Sequence, residues 1–163
     1  MEPAARLTPG WTVALVGVVL LAVLAAVPAL SAGALAEGIH AAFSGVCHQI
    51  PERSPSFAGR PAALCHRCSG MLGGLLLGLA LAPGLPAARQ RAVAAGRQGR
   101  WLLWAVLPTA ADWGLGASGL GVNTPASRVL TGLLFGAVAG VVLAVNLLTV
   151  SHSSPSTLRS HDA

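Results

Sequence analysis

The chain has 163 residues, enough for one domain, and only 9% of them are charged, against about 25% in an ordinary soluble domain. Hydrophobic residues make up 54% of the sequence, which indicates a membrane protein. The formal net charge of +5 does not indicate a nucleic-acid partner, because the arginines are spread among apolar segments and form no basic face with interleaved aromatic residues.

The first predicted element is a membrane span over about 11–35. This stretch carries no charge and is longer than the roughly 20 helical residues that cross a bilayer core. Pro28 interrupts it, which a membrane helix tolerates. Ala34-Leu35-Ala36 fits a signal-peptidase site, but the apolar region exceeds the roughly 7–15 residues of a signal core, so we favour an uncleaved helix.

The second span is predicted over about 62–82. Its uncharged part, Ser69–Ala82, measures only about 21 Å as a helix, which is too short to cross. The helix is therefore expected to begin near Ala62, just after Pro61, a residue suited to a first helical turn. This start places the stretch Cys65-His66-Arg67-Cys68 in the opening turns, at the mouth of a helix bundle.

Two further spans are predicted over about 101–120 and 129–150, and the first of them contains Asp112. Residues 151–163 are polar and Ser-rich and are expected to form a disordered tail. The sequence thus predicts an all-α, polytopic membrane protein whose single domain, residues 1–150, is a bundle of four transmembrane helices.

Arginines near the span ends predict the orientation of the bundle. The loop between the second and third spans carries Arg89, Arg91, Arg97 and Arg100 without an acidic residue, which places it in the cytoplasm. With four spans the N- and C-termini are cytoplasmic as well, and the cysteine segment faces outward. We therefore expect a multi-pass protein of the inner (plasma) membrane, with the lipid bilayer as its immediate partner.

Glycines recur at every fourth position in the second and fourth spans. The two sets are Gly70, Gly74 and Gly78, and Gly132, Gly136 and Gly140. Each set lines one helix face and allows a neighbouring backbone to approach closely. These faces predict tight helix packing, within the bundle or against a membrane-protein partner or a second copy of the chain.

All three cysteines lie between Cys47 and Gly70. Cys65 and Cys68 form a C-x-x-C motif whose spacing puts both thiolates on one helix face. Together with Cys47 and either His48 or His66, they predict a four-ligand, zinc-type metal site.

Two other uses of the thiols stay open at this point. A helix N-terminus and Arg67 would lower a thiol pKa, so Cys65 and Cys68 could be a redox dithiol that exchanges with Cys47 in a membrane thiol-disulfide oxidoreductase. Alternatively, Cys47 could form a structural disulfide with Cys65 or Cys68. Whether the protein is an enzyme is therefore undecided by the sequence.

Asp112 is expected about 16 Å along the third span, where an ionisable side chain is costly and indicates a function or a charged partner. Its natural partners are Arg67 and Arg128. Because guanidinium groups also suit carboxylate and phosphate, Arg67, Arg128 and Asp112 are the candidates for binding an anionic cofactor or ligand. An Arg128–Asp112 pair together with the glycine faces would also suit an accessory subunit of a membrane complex.

Four stretches, CHQIPERS, CHRCSGMLGG, TAADWGLG and NTPASRVLTGLLFG, resemble a prokaryotic family of small integral membrane proteins called domain of unknown function 2085. The resemblance covers roughly Cys47 to Gly140. The matching residues are Cys47, His48, Gln49, Arg53, Ser54, Cys65, Arg67, Cys68, Gly70, Asp112, Arg128 and Gly132. His66 stands at a position that is often small in the family, which favours His48 as the metal ligand. The resemblance implies a membrane location and brings no known activity.

Overall fold

The computed structural model describes residues 8–95 and 97–150. In these ranges the helices are α1 (Pro9–Leu30), α2 (Ala34–Phe43), α3 (His66–Leu81), α4 (Ala87–Ala94), α5 (Gln98–Ala117) and α6 (Pro125–Val150). Single 3-10 turns occur at Pro51–Arg53 and Ala82–Gly84, and the short strands β1 (Ser56–Phe57) and β2 (Arg60–Pro61) pair antiparallel. The predicted tail, residues 151–163, lies outside the described residues.

Three of the described helices are long and apolar enough to cross a membrane. They are α1, α3 continued to Gly84, and α6. Side chains such as Val13 and Leu20 on α1 are more than half exposed, which suits contact with lipid. The helix α5 is not in this group, because Arg100, Asp112 and several Trp and Gly residues lower its mean hydropathy. The prediction of an all-α protein with membrane-length apolar helices is thereby confirmed for three helices.

The first helix ends earlier than the sequence suggested. The prediction continued to Leu35, whereas α1 stops at Leu30 and Ser31 is extended. Gly33 follows with a φ of +102°, a conformation that glycine adopts without strain, and the chain turns there into α2. The predicted segment 11–35 is therefore a helix of residues 9–30 followed by the start of a second one.

The helix that carries the C-x-x-C motif begins later than predicted. It starts at His66, not near Ala62, and Cys65 occupies the N-cap position. Just before that point, the N–H of Ala63 donates a hydrogen bond to the carbonyl oxygen of Ala25 in α1 (2.9 Å). Cys65 itself is extended, with a ψ of 163°, so the helical conformation starts only after it.

The last two helices begin before their predicted starts. The helix α5 covers Gln98–Ala117 where 101–120 was expected, and α6 begins at Pro125 where 129 was expected. The early start of α6 has a local cause: the hydroxyl of Thr124 accepts a hydrogen bond from the N–H of Ser127 (3.0 Å), and proline suits the first helical turn.

The glycine faces of α3 and α6 pack against each other. At all six glycines an added methyl group would collide with a backbone carbonyl oxygen of the other helix, as Gly74 shows against Leu133 and Gly136 against Met71. The predicted close approach is confirmed. Because each face is covered by the other, the idea that these faces bind a partner or a second copy is corrected. Residue numbers rise together along the contact, so the two helices run parallel.

The helix α1 runs antiparallel to α3. Near its start, the indole N–H of Trp11 donates to the carbonyl oxygen of Leu79 near the end of α3 (3.0 Å), and near its end Ala25 bonds Ala63 just before α3 begins. Trp11 and Leu79 belong to a buried apolar cluster that also includes Ala144 of α6. This cluster fixes α1 across both glycine-packed helices.

The helix α5 runs antiparallel to α6. At its start, the side-chain amides of Gln98 and Asn146 exchange two hydrogen bonds of 3.2 Å. Further along, the Thr109 hydroxyl donates to the carbonyl oxygen of Thr131 near the start of α6 (3.0 Å). The starts of α3 and α6 therefore share one end of the bundle with the ends of α1 and α5.

Candidate thiol and arginine site

Three sulfur atoms meet at the N-terminus of α3. The Sγ atoms of Cys47, Cys65 and Cys68 all lie within 4.8 Å of one another. Cys47 arrives from the loop after α2 and is buried, whereas Cys65 caps α3 and Cys68 lies in its first turn, both partly exposed. A loop and a helix start thus supply the cluster jointly.

The loop that carries Cys47 is fixed by backbone contacts. The N–H of Cys65 donates to the Sγ of Cys47 (3.2 Å). The side-chain amide of Gln49 donates to the carbonyl oxygens of His40 (2.9 Å) and Ala63 (3.0 Å), which ties α2 to the segment before α3. The sequence indicated Gln49 only as a motif residue, without a role, although an amide side chain directly after a Cys-His pair in an apolar chain points to a buried hydrogen bond.

The three thiols have different electrostatic surroundings, and those of Cys65 favour loss of its proton. Hydrogen bonds donated by the Cys68 thiol, and also by the Cys68 backbone N–H, the Cys47 thiol and the Arg67 backbone N–H, lower the pKa of the Cys65 thiol and outweigh the opposing effect of its partial burial. Among the three thiols, the surroundings of Cys65 thus favour its ionised form. A thiolate is the form of cysteine that binds metals and attacks disulfides.

The two candidate histidines have different positions. His66 directs its Nδ1 to the carbonyl oxygen of Arg53 at 2.7 Å, so it secures the loop. His48 is exposed and lines the same cavity as the sulfurs, although its ring is not part of the close cluster of three sulfurs found in the described chain.

Asp112 forms an ion pair with Arg67, not with Arg128. Both side chains are largely buried, with 18% of Arg67 and 13% of Asp112 exposed. The amide of Asn123 donates to Asp112 Oδ2 (2.9 Å) and to its backbone oxygen (2.6 Å). The Nε of Arg67 is buried and has no hydrogen-bond partner in ranges 8–95 and 97–150.

A cavity of about 260 Å³ lies beside the sulfurs. Its polar wall consists of residues that the sequence singled out: the three cysteines, His48, Arg53, Arg67 and Arg128. Trp113, which sequence reasoning missed, forms another part of the wall. The sequence feature that could have indicated Trp113 is its position directly after Asp112. Asp112 pairs with Arg67 and does not belong to the cavity lining. The polar lining therefore consists of thiols, one imidazole and cations.

An apolar groove of about 330 Å³ adjoins this cavity. Its lining includes Leu21 of α1, Met71 of α3 and Phe135 of α6, and it shares Val46 and Cys68 with the cavity. Cys68 therefore lies between a polar chamber and a surface suited to hydrocarbon.

Comparison with known proteins gives the family of the chain. Residues 47–142 match the family described as "Predicted membrane protein (DUF2085)", and the match begins at Cys47. An uncharacterized protein of Methanocaldococcus jannaschii is 30% identical over 99 residues, which are 60% of this chain and 61% of that protein. The chain thus spans about three fifths of the length of this relative. No solved structure matches the chain. The protein belongs to the DUF2085 family of predicted membrane proteins.

Proposed function

We propose that the protein is a membrane metal-binding protein that holds one zinc-type ion on Cys47, Cys65 and Cys68. The separation of the three sulfurs, all within 4.8 Å, carries this proposal. Tetrahedral zinc with Zn–S bonds of about 2.3 Å keeps its sulfurs about 3.8 Å apart, so small side-chain rotations would complete the site. Thiolate ligands favour zinc and other soft ions over magnesium or calcium.

His48 is our candidate for the fourth ligand. It follows Cys47 directly, lines the same cavity and is exposed, so its ring is free to rotate toward the sulfurs. Imidazole is an ordinary zinc ligand. Arg67, Arg128 and Arg53 would offset the negative charge that thiolate ligands bring to the site.

Metal content of the purified protein tests this proposal. We expect about one zinc per chain in the wild type, by elemental analysis, and loss of the metal in Cys68→Ser. His66→Ala is the matched control, since His66 is a neighbour of the thiols that bonds the loop, and it should keep the metal. A wild-type protein without bound metal, even after incubation with zinc, rules the proposal out.

A second candidate function is thiol-disulfide exchange, favoured by the lowered pKa of Cys65. The Cys65 thiolate would attack a substrate disulfide and release one substrate thiol, and the Cys68 or Cys47 thiolate would then displace the second one, leaving an intramolecular disulfide. The substrate is reduced by two electrons and the protein is oxidised. Mass-tagged maleimide added to cells should then reveal both redox forms, whereas a uniform thiol pool excludes this function.

The proposed setting is a bundle of four spans in the inner (plasma) membrane. Parallel neighbours such as α3 and α6 can both cross only if the chain between them crosses back, and the 20 residues of α5 cover about 30 Å. Arg91, Arg97 and Arg100 lie between α3 and the first turns of α5, at the end where α1 begins and α6 finishes. The positive-inside rule makes that end, with both termini, cytoplasmic, and the thiol site faces outward.

A further inference from the structure

The cavity beside the sulfurs has an excess of cations. Arg53, Arg67 and Arg128 line it. The carboxylate of Asp112 is engaged by Arg67 and Asn123. Among the described residues, Arg128 and Arg53 have no carboxylate within ion-pair distance.

The position of Arg128 makes this excess costly. Arg128 is half-buried in the first turn of α6, and α6 packs against α3 so closely that Gly132 lies over the backbone of Arg67. The guanidinium groups of Arg67 and Arg128 thus face one chamber, and Arg128, which has no carboxylate partner in the described chain, is half-buried there at an energetic cost. The buried Nε of Arg67 adds a donor that is without an acceptor in the described chain.

We propose that this cavity binds an oxyanion group of the phosphate type, with Arg128 as its principal ligand and Arg67 and Arg53 as further donors. The planar guanidinium fork matches the oxygens of phosphate or carboxylate and forms paired, charge-assisted hydrogen bonds with them. The site depends on the arginines and does not rest on the metal proposal. A bound anion would lie next to the sulfurs, within reach of whatever chemistry they perform.

The oxyanion could belong to a free ion or to a lipid headgroup. Both present the same oxygens to the arginines. The apolar groove next to the cavity, which shares Val46 and Cys68 with it, would receive the acyl chain of a lipid and contribute nothing to a free ion. The apolar groove should therefore contribute to the binding of a lipid and not to the binding of a free ion.

Melting temperatures of the full-length protein test the site. In lipid-free detergent, inorganic phosphate is titrated against chloride at equal ionic strength; in nanodiscs, phosphatidylglycerol is compared with phosphatidylcholine. We expect phosphate or phosphatidylglycerol to raise the melting temperature, and a rise in the lipid arm alone identifies a headgroup. Arg128→Gln should raise the phosphate concentration that gives half of the full rise in melting temperature about tenfold. The reason is the loss of one pair of charge-assisted hydrogen bonds.

Arg60→Gln is the matched control, because Arg60 is an exposed arginine of the β1–β2 hairpin that does not line the cavity. Arg128→Lys keeps the charge without the fork, and partial binding is expected from it. Removal of metal from the wild type with a chelator should leave the anion response in place, so the two proposals fail separately. Equal anion responses in Arg128→Gln, Arg60→Gln and wild type overturn the proposal, and so does the absence of any anion effect in both arms.

Discussion

The backbone N–H of Cys65 donates a hydrogen bond to the sulfur of Cys47, 18 positions earlier in the chain, at 3.2 Å. This contact joins the loop half of the thiol cluster to its helix half. It uses a backbone donor at the start of α3, where helix amides lack partners of their own. The cluster is therefore assembled by the fold, and a metal ion would stabilise an arrangement that the chain already prefers.

Zinc should stabilise the protein through this cluster. At about 100 times its dissociation constant, an ion that binds only the folded state adds about 2.7 kcal/mol to the free energy of unfolding. Thermal unfolding with zinc and with a chelator measures the difference. Cys47→Ser should abolish it, whereas His66→Ala should preserve it. Equal zinc responses in Cys47→Ser and wild type would falsify the role of Cys47.

The lowered pKa of Cys65 should appear in its pH-dependent reactivity. An ordinary thiol, with a pKa of about 8.5, loses about tenfold in thiolate for each pH unit below that value. Because its pKa is depressed, Cys65 stays ionised over that range, and its alkylation by iodoacetamide should change little between pH 8 and pH 6. Peptide mass spectrometry of metal-free protein measures the rate. A rate at Cys65 that falls like that of a free thiol contradicts the assignment.

The packing of α3 on α6 should be sensitive to one methyl group at Gly74. An added Cβ there meets the backbone of Leu133 and Ala137, so Gly74→Ala forces the helices apart and should cost about 3 kcal/mol or more. The neighbouring Gly73 faces open space, and Gly73→Ala should be neutral or stabilise by up to about 1 kcal/mol. Thermal unfolding in one detergent compares the two variants. Similar losses in both would show that the close approach is not what stabilises the pair.

The ion pair between α3 and α5 should show strong coupling. Arg67→Met leaves the largely buried Asp112 without its cation and should cost about 3 kcal/mol. Adding Asp112→Leu removes the unpaired charge and should recover most of that loss. A double-mutant cycle on unfolding measures the coupling. Additive losses would mean that the two side chains do not depend on each other.

The four-span topology predicts which loops face outward. In a variant with Cys47, Cys65 and Cys68 replaced by Ala, single cysteines are placed at Ser44, Ser118 and Ala95, all exposed. A membrane-impermeant maleimide applied to intact cells should label Ser44→Cys and Ser118→Cys. Ala95→Cys should react only after permeabilisation. Protection of Ser118→Cys together with Ala95→Cys would show that α5 does not cross.

Several features were predictable because they depend on local sequence. Apolar runs indicated the helices α1, α3 and α6, and the four-residue glycine spacing indicated two close-packing faces. The spacing of Cys65 and Cys68 placed both thiols at one helix start. Hydrophobic pattern and helical periodicity are properties of neighbouring residues, so they can be read without the fold.

The helix boundaries were less predictable than the helices themselves. The segment just before α3 is bonded to α1 through Ala63 and Ala25, and α1 ends shortly before the turn at Gly33. Neither is visible in hydropathy, which changes gradually across such points. The role of Gln49 likewise requires knowing that His40 and Ala63 lie side by side.

By itself, the sequence indicated that the chain forms apolar helices and that its thiols, Arg67, Arg128 and Asp112 belong at one end of them. Only the tertiary structure decided that Asp112 pairs with Arg67 and leaves Arg128 to the cavity. The physical reason is that both arginines occupy the same depth, on two parallel helices. The sequence cannot show which of the two arginines meets Asp112. The packing of α5 against α3 and α6 decides it, because it brings Asp112 to Arg67.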